Sequence, residues 1–344
     1  MTSVDPQTAR RSVLSGTPAS RVAVIIPCHD EARHIADVLS SIPDWVDRII
    51  VVDDASTDET VAIAEASKDS RVVVLRRSNN GGVGAAMKTG YSAAIKEGFD
   101  ILVKMDGDGQ MLGKELARLV DPLRLDLAEY TKGNRFYFRA ATSGMPAKRH
   151  FGSSVLSFMT KVASGYWHVF DSQCGFTAVS ASFVELLEID KLADDYFFEN
   201  DMLIRLNALN ARVVDVPIST IYGAEVSGLS IGRIALSFPP RLMFGGTWRF
   251  WRKHFVTDFS AIAILTLAGL FMCIFGGVFG GYHWWESNAT QTVATTGTVM
   301  IAVLPLVVGL QLLIQAFSMS VTASPGGAET AGYVRELIRS GEFE

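Results

Sequence analysis

At 344 residues the chain is long enough for two domains, and 49% of its residues are hydrophobic. Its formal net charge of −5 gives no sign of a nucleic-acid partner, and we predict none. The three cysteines, Cys28, Cys174 and Cys273, exclude a disulfide framework and fit a reducing compartment.

Residues 1–20 have no apolar core of signal-peptide length, so we predict a disordered cytoplasmic lead-in.

After this lead-in, predicted strands alternate with predicted helices in the first half of the chain. Apolar runs then predict strands at 22–27, 48–52, 72–75 and 101–105, and the spacing between them predicts helices at about 31–41, 59–67 and 83–96. Strands that alternate with helices indicate an α/β fold with a mostly parallel, doubly wound sheet. We therefore predict a nucleotide-binding half at residues 21–110.

The most informative stretch follows the fourth strand and reads Asp106-Gly107-Asp108-Gly109-Gln110. Two carboxylates two residues apart project to the same side of an extended segment, where a divalent cation can bridge them. Gln110 offers a third oxygen, and a metal held there can in turn hold a diphosphate. Taken alone, such an acidic, glycine-rich turn is more often a solvated loop, so its meaning depends on the rest of the chain.

The second half, residues 111–227, is less regular. Helices are predicted near 114–123, 151–165 and 199–209, and strands near 130–133 and 212–217. Residues 228–257 are basic and aromatic. Such a segment suits the headgroup region of a membrane, with its apolar face toward lipid and Arg and Lys toward anionic headgroups. An ordinary pair of soluble helices is the alternative.

Residues 258–320 contain two runs without Asp, Glu, Lys or Arg, at 259–282 and about 296–320. Each is long enough for the roughly 20 residues of a membrane-spanning helix. A buried hairpin of a soluble protein is the alternative. Basic residues precede the first run and follow the second, while the connection between them has no Lys or Arg. The positive-inside bias therefore predicts a multi-pass protein of the cell membrane, with both termini in the cytoplasm and residues 321–344 as a cytoplasmic tail.

Four motifs occur in order within about 90 residues: Val-Ile-Ile-Pro-x-x-Asp-Glu, Val-Val-Asp-Asp-Ala-Ser-x-Asp, Asn-x-Gly-x-Gly-Ala-Ala and Asp-x-Asp-x-Gln. This set resembles glycosyltransferase family 2, with its Rossmann-like GT-A fold for nucleotide-diphospho-sugars. The stretches at 132–136, 171–176 and 198–201 resemble the polyprenyl-phosphate branch, which includes dolichol-phosphate mannosyltransferases. The basic segment and the two spans resemble members with a small membrane anchor. The resemblance covers about residues 21–320.

The resemblance implies a catalytic domain at 21–227 with the donor in its first half. Asp106 and Asp108, with Gln110, would hold Mg²⁺ or Mn²⁺ across the diphosphate. Asp54 would accept hydrogen bonds from the base or ribose, with a helix-capping role as the alternative. The amides of the glycine-rich helix start, with Lys88, would face the diphosphate. The other residues implied on the nucleotide-sugar side are Pro27, His29, Glu31, Val52 and Gly107; for His29 a satisfied loop histidine is the alternative.

On the acceptor side, the resemblance implies that Arg135 and Arg149 bind the acceptor phosphate, since a guanidinium recognises phosphate bidentately. Surface arginines without a ligand are the alternative. Glu199 or Asp201 aligns with a position that serves as general base where the acceptor is a hydroxyl. A lipid phosphate, with a second pKa of about 6, hardly needs deprotonation at neutral pH, so we assign these two to orientation and count Asp201 among the catalytic residues with Asp106, Asp108 and Arg135. The residues implied to line the sugar and acceptor are Asp171, Ser172 and Gln173.

We therefore expect a metal-dependent, inverting glycosyltransferase that moves a hexose from a UDP or GDP sugar to polyprenyl phosphate at the cytoplasmic face. Two alternatives remain. The first is a family 2 enzyme with a hydroxyl acceptor in glycolipid or polysaccharide synthesis, and the second is a non-catalytic membrane subunit that binds a nucleotide sugar. The expected partners are the donor, the acceptor lipid and the bilayer, with anionic lipids at the basic segment, and the sequence is compatible with a homo-oligomer.

Overall fold

The structure, a computed structural model, describes residues 20–137, 147–219 and 231–340. The chain divides into two compact units: Met1–Thr247 with Pro325–Glu344, and Trp248–Ser324. The predicted disordered lead-in lies outside the described residues except for Ser20. The first unit therefore combines the predicted catalytic domain with the C-terminal end of the chain.

The first unit is built on a seven-stranded sheet in the order β3-β2-β1-β4-β6-β5-β7. Its strands are β1 (Val22–Cys28), β2 (Arg48–Asp53), β3 (Val72–Arg76), β4 (Ile101–Lys104), β5 (Tyr130–Asn134), β6 (Thr177–Ser180) and β7 (Val213–Pro217). Among these strands β6 runs antiparallel to both neighbours, and the other pairs are parallel. The predicted α/β fold with a mostly parallel sheet is confirmed.

Helices cover both faces of this sheet, which is why its central strands are apolar on both sides. Alternate residues enter two separate cores: Ile26 and Val51 belong to one, and Ile25 and Ile50 to the other. The α-helices before the spans are α1 (Ile35–Ser41), α2 (Thr60–Glu65), α3 (Val83–Lys96), α4 (Leu116–Arg124), α5 (Ala147–Ser164), α6 (Ala181–Leu186), α7 (Phe198–Ala208) and α8 (Ile231–Trp251).

The strand ends align where the motifs occur. Cys28 of β1 is paired with Asp53 of β2, and Asp53 is paired with Arg76 of β3. The loops that follow these three strands therefore begin at one level, at the carboxyl edge where open α/β sheets bind ligands. This edge is the location expected for the nucleotide-binding residues.

The predicted cytoplasmic tail requires a correction. Residues Gly327–Arg339 form a helix, α11, that packs on β7 at the end of the sheet. Thr330 Oγ1 accepts a hydrogen bond of 3.2 Å from the backbone N–H of Asp215, and Leu337 is buried in one of the two cores. A Cβ on Gly326, which has φ of +89°, would lie 2.2 Å from the carbonyl oxygen of Val213. The segment after the two apolar helices is thus part of the first unit and covers an edge strand.

The second unit contains a π-helix (Arg252–Thr257) and two long helices, α9 (Ala261–Thr290) and α10 (Thr296–Thr322). Both long helices have the length and composition of membrane spans, with mean hydropathy of 2.4 and 2.3. They pack on each other through glycines, since a Cβ on Gly276 would lie 2.6 Å from the carbonyl oxygen of Ala302. Only 22% and 6% of their most apolar windows are buried, whereas the core helix of a soluble protein is mostly buried. Both helices end later than the predicted spans, and α9 begins two residues after its predicted start.

Candidate active site

The acidic turn begins just after β4 and packs against the loop that follows β1. A Cβ on Gly107 would lie 2.8 Å from Cys28 Sγ and 3.5 Å from the carbonyl oxygen of Pro27 and from Glu31 Cγ. Any side chain at this position would push the turn away from β1, which explains the glycine. The structure therefore brings Pro27, Glu31 and the acidic turn together.

Asp106 is held by a lysine that the sequence analysis did not single out. Lys104 Nζ lies 2.5 Å from Asp106 Oδ1, 3.0 Å from Glu199 Oε1 and 3.3 Å from the carbonyl oxygen of Gly175. The Lys104 side chain is 2% exposed. Burial alone would lower its pKa, but Asp106 and Glu199 outweigh burial and raise the pKa of Lys104 above its ordinary value. A fixed buried cation thus joins the acidic turn to α7.

The two aspartates suit a metal ion that arrives with its substrate. The Asp106 side chain is 30% exposed, and Asp108 Oδ1 accepts a hydrogen bond of 3.0 Å from the backbone N–H of Gln110. The described residues contain no group of three or more His, Cys, Asp or Glu side chains arranged for a metal. Mg²⁺ is usually bound by one or two carboxylates together with substrate phosphates and waters. The donor set therefore fits Mg²⁺ or Mn²⁺ with a diphosphate rather than a closed protein cage.

Asp54 shapes the glycine-rich loop before α3. Its buried carboxylate accepts hydrogen bonds from the backbone N–H of Gly82 at 2.7 Å and of Gly81 at 3.1 Å, and it forms an ion pair with Arg77. The first amides of the loop thus bind the protein's own carboxylate. The resemblance implied that the amides of this helix start face a diphosphate, but the amides of Gly81 and Gly82 bind Asp54 instead.

His29 connects the loops after β1, β2 and β3. Its Nδ1 lies 3.0 Å from the carbonyl oxygen of Asp54, and its Nε2 lies 3.0 Å from Asn80 Nδ2. These partners assign the proton to Nδ1, because the carbonyl accepts and the Asn80 amide donates. His29 therefore has satisfied hydrogen bonds inside the predicted nucleotide site.

Lys88 and Val52 have more indirect positions. Lys88 Nζ bonds to Asp194 Oδ1 at 2.8 Å and to the carbonyl oxygen of Asp190 at 3.1 Å, so a contact with a diphosphate would require this ion pair to open. The side chain of Val52 is fully buried and packs beneath α3, next to Gly90. Any ligand contact from Val52 would come from its main chain.

Arg135 and Asp171 form the polar centre of the predicted acceptor side. Arg135 Nε and Nη2 lie 2.6 and 3.0 Å from the two carboxylate oxygens of buried Asp171. This bidentate pair fixes the plane of the guanidinium. Four residues later, a Cβ on Gly175 would lie 2.3 Å from Asp106 Oδ2. The short segment 171–175 therefore has Arg135 at one end and the acidic turn at the other.

The other acceptor residues lie on and beside this segment. Ser172 Oγ is 3.4 Å from Ser157 Oγ of α5, and Gln173 Nε2 donates to Asn200 Oδ1 of α7 at 3.0 Å. These contacts tie the segment to two helices. Arg149 is in the first turns of α5, where the structure describes the backbone alone.

The two acidic candidates on α7 point to different surroundings. Glu199 is bound to Lys104 and so lies beside Asp106. Asp201 accepts the backbone N–H of Ala193 at 3.0 Å and pairs with Arg205 at 3.1 Å. One oxygen of Asp201 thus holds the loop before α7, and the other pairs with Arg205 of the same helix. This arrangement favours Glu199 over Asp201, which we had counted as catalytic.

Two further buried groups lie near the site, and neither was predicted to be a site residue. Lys132 Nζ donates to the carbonyl oxygen of Cys174 at 2.6 Å. Asp215 accepts from Asn134 Nδ2 at 2.5 Å, and burial is the main cause that raises the pKa of Asp215 from 3.8 to about 7. A charged residue in an otherwise apolar strand is a sequence signal for Lys104 and Asp215, whereas the strand around Lys132 is not apolar.

Comparison with known proteins identifies the family. Residues 23–187 match the family model for glycosyl transferase family 2. A UDP-N-acetylglucosamine–dolichyl-phosphate N-acetylglucosaminyltransferase of Methanococcus voltae is 33% identical over 216 residues, 58% of this chain and 86% of that protein. The chain belongs to glycosyltransferase family 2.

A second relative and a solved structure are also similar to the chain. An undecaprenyl-phosphate mannosyltransferase of Micrococcus luteus is 31% identical over 206 residues, 58% of this chain and 84% of that protein. Among solved structures, glucosyl-3-phosphoglycerate synthase of Mycobacterium tuberculosis, in complex with Mn²⁺, UDP and glucosyl-3-phosphoglycerate, aligns with a TM-score of 0.52 at 19% identity and covers 72% of this chain and 86% of that chain. This likeness shows the GT-A-like fold.

Proposed function

We propose that this family 2 enzyme transfers one hexose from a nucleotide-diphosphate sugar to polyprenyl phosphate at the cytoplasmic face of the cell membrane. The observation that carries the proposal is the segment 171–175, which has Arg135 bonded to Asp171 at one end and Asp106 against Gly175 at the other. The Cα atoms of residues 171 and 175 are at most about 14 Å apart, because they are separated by four residue steps. Arg135 and the acidic turn are therefore close enough for one sugar to lie between the acceptor phosphate and the donor diphosphate.

Each part of the site has a role in this reaction. The loops at Pro27–Glu31 and Asp54 hold the nucleotide, and Arg135, oriented by Asp171, binds the acceptor phosphate. A phosphate oxygen of the acceptor attacks the anomeric carbon, the bond from that carbon to the donor diphosphate breaks, and the nucleoside diphosphate leaves from the opposite side with inversion. Mg²⁺ or Mn²⁺ held by Asp106 and Asp108 would supply positive charge at the leaving diphosphate.

The buried charges around the turn make this site preorganised. Lys104 holds Asp106 and Glu199 in fixed positions, so neither carboxylate has to be ordered when substrate binds. The acceptor needs little help from a base, because a lipid phosphate already has negative oxygens at neutral pH. Glu199 therefore orients the substrates in this proposal.

Membrane attachment completes the proposal. The helices α9 and α10 would cross the bilayer as a hairpin, and an even number of crossings returns the chain to the same side. The residues after the hairpin belong to the same unit as β1–β7, as such a topology requires. Basic residues before α9 and after α10 favour the cytoplasmic side for this unit.

The test is transfer of radiolabelled sugar by the full-length protein in membranes. Polyprenyl phosphate is offered with UDP-glucose, UDP-N-acetylglucosamine or GDP-mannose, and the lipid product is separated by chromatography. Label in polyprenyl-phosphate sugar with at least one donor is expected. Label in a different lipid, abolished by Glu199→Gln, would favour the alternative with a hydroxyl acceptor. Nucleotide-sugar binding without transfer or donor hydrolysis would favour the non-catalytic subunit.

A further inference from the structure

Helix α5 has an inverted distribution of polar and apolar side chains. Apart from Ala163, the buried residues that the structure describes on this helix are hydroxylic: Ser157, Thr160 and Ser164. Thr160 Oγ1 donates a hydrogen bond to Asn200 Oδ1 at 2.8 Å, and Ser157 Oγ lies 3.4 Å from Ser172 Oγ. Its exposed residues are apolar and form a face at helical spacing, which we call the α5 outer face: Val155 (43% exposed), Phe158 (62%) and Val162 (44%). A helix of a soluble domain shows the opposite pattern. The α5 outer face is therefore built to contact something apolar.

The neighbouring helix has the same property. A Cβ on Gly246 of α8 would lie 3.0 Å from Ala163 Cα of α5, so the two helices approach backbone to backbone. Among the α8 side chains that the structure describes, the large apolar ones exposed before the last turns are Leu236 (83%), Met243 (73%) and Phe244 (78%). Two adjacent helices with exposed apolar residues exceed the scattered exposure of an ordinary soluble surface.

The charge of both helices indicates what kind of apolar partner they contact. Neither α5 nor α8 contains an Asp or Glu, and together they have three arginines on α8 and Lys148, Arg149 and Lys161 on α5. Lys161 Nζ lies 4.7 Å from the ring centre of Phe170, which is itself 47% exposed. Helices that expose apolar residues, contain basic residues and have no Asp or Glu suit a bilayer with anionic lipids. Along the chain, α8 also leads directly toward the first span.

We propose that α5 is a second interfacial helix, whose outer face contacts the acyl chains at the surface of the bilayer. Its apolar side chains would lie roughly 5–10 Å into the boundary between headgroups and acyl chains. The inference rests on the membrane attachment proposed above. It adds that the catalytic domain itself touches the membrane beside Arg135, because Phe170 contacts both Lys161 of α5 and Phe136, the residue after Arg135. A lipid phosphate would then meet Arg135 at headgroup level.

The experiment uses the full-length protein in vesicles of phosphatidylcholine and phosphatidylglycerol. Phe158→Cys is labelled with an environment-sensitive fluorophore in a Cys273→Ser background, because the other two cysteines, Cys28 and Cys174, are buried. The matched control is Leu186→Cys, since Leu186 of α6 is also 62% exposed. Phe271→Cys in α9, where Phe271 is 72% exposed, reports membrane insertion. Quenching is measured with spin labels placed at shallow or deep positions of the lipid chains.

The expected result is a blue-shifted Phe158 label quenched by the shallow spin label, together with an unshifted, unquenched Leu186 label. A Phe158 label that behaves like the Leu186 label, while the Phe271 label is quenched by the deep spin label, would overturn this inference and leave the membrane attachment intact. A blue shift at Phe158 that grows with protein density and shows no lipid quenching would also overturn it, in favour of contact with a second copy. An unquenched Phe271 label would refute the membrane attachment, and this inference with it.

Discussion

Lys104 Nζ lies 2.5 Å from Asp106 Oδ1 and 3.0 Å from Glu199 Oε1, so one buried ammonium bridges the acidic turn and helix α7. The two carboxylates come from parts of the chain that are far apart in sequence. Lys104 thereby fixes both relative to β4, on which it lies. This arrangement balances part of the negative charge of the site and holds the two carboxylates in place.

Replacement of this lysine is expected to destabilise the catalytic domain. Lys104→Met leaves Asp106 and Glu199 without their shared cation, and breaking a buried ion pair typically lowers the free energy of unfolding by about 3–5 kcal/mol. Thermal unfolding in detergent measures the effect. Lys68→Met, at an exposed position, is the control. A double variant with Glu199→Gln should recover part of the loss, and equal instability of the single and double variants would contradict the bridging role.

The acceptor role of Arg135 is tested by a change that keeps the charge. Arg135→Lys retains a cation but loses the planar, bidentate geometry. The KM for polyprenyl phosphate should rise at least about tenfold, equivalent to about 1.4 kcal/mol, while the KM for the donor stays unchanged. Arg205→Lys is the matched control, because Arg205 also pairs with an aspartate and its side chain is 18% exposed against 22% for Arg135. A rise confined to the donor KM would refute the acceptor assignment.

The acidic turn makes a separate prediction about metal dependence. Asp106→Asn and Asp108→Asn should each lower kcat by about 10²–10³-fold, as expected when one group that stabilises developing charge is removed. A chelator should abolish sugar transfer by the unaltered enzyme, and added Mn²⁺ or Mg²⁺ should restore it. Asp37→Asn, at an exposed position of α1, is the control. Full activity in the presence of the chelator would exclude the proposed metal.

Much of the fold and part of the site could be predicted from the sequence, for identifiable reasons. The strands β1–β4 are short apolar runs followed by polar turns. Because these strands alternate with helices, their parallel orientation could be predicted. Strand β6 was not predicted, because Thr177–Ser180 is only four residues long and lacks the alternation of apolar and polar residues that marks a strand. The contacts of Lys104 with Glu199, of Asp54 with Gly81 and Gly82, and of Lys88 with Asp194 could not be predicted from the sequence, because each joins parts of the chain that only folding brings together.

The buried carboxyl of Asp215 should make stability depend on pH. Its pKa is raised from 3.8 to about 7 in the folded chain, chiefly by burial, so the folded state holds this proton more tightly than the unfolded state. The stability contributed by the protonated group is complete below 3.8 and is lost as the pH rises through about 7. Asp215→Asn should remove this loss. Its melting temperature should therefore exceed that of the unaltered protein by a margin that grows from about pH 5 to about pH 8. A margin that shrinks with rising pH would contradict the assignment.

The helix after the spans should contribute to the stability of the catalytic domain. Leu337 is 1% exposed in a core that also contains Val214 and Val216 of β7. Leu337→Ala should lower the free energy of unfolding by about 2–5 kcal/mol through lost burial and a residual cavity. Ala331→Ser, at an exposed position of the same helix, should change it little. Equal melting temperatures for the two variants would show that α11 is dispensable.

The position of α11 has a consequence for biosynthesis. Domains generally fold as units while the chain leaves the ribosome from its N-terminus. Here the last helix of the first unit is translated after both apolar helices, so β7 stays uncovered until the hairpin has been made. In the proposed topology, maturation of the transferase is thereby coupled to insertion of the two apolar helices into the membrane. A nascent chain that stalls before residue 325 would present an open sheet edge to chaperones and proteases rather than a finished enzyme.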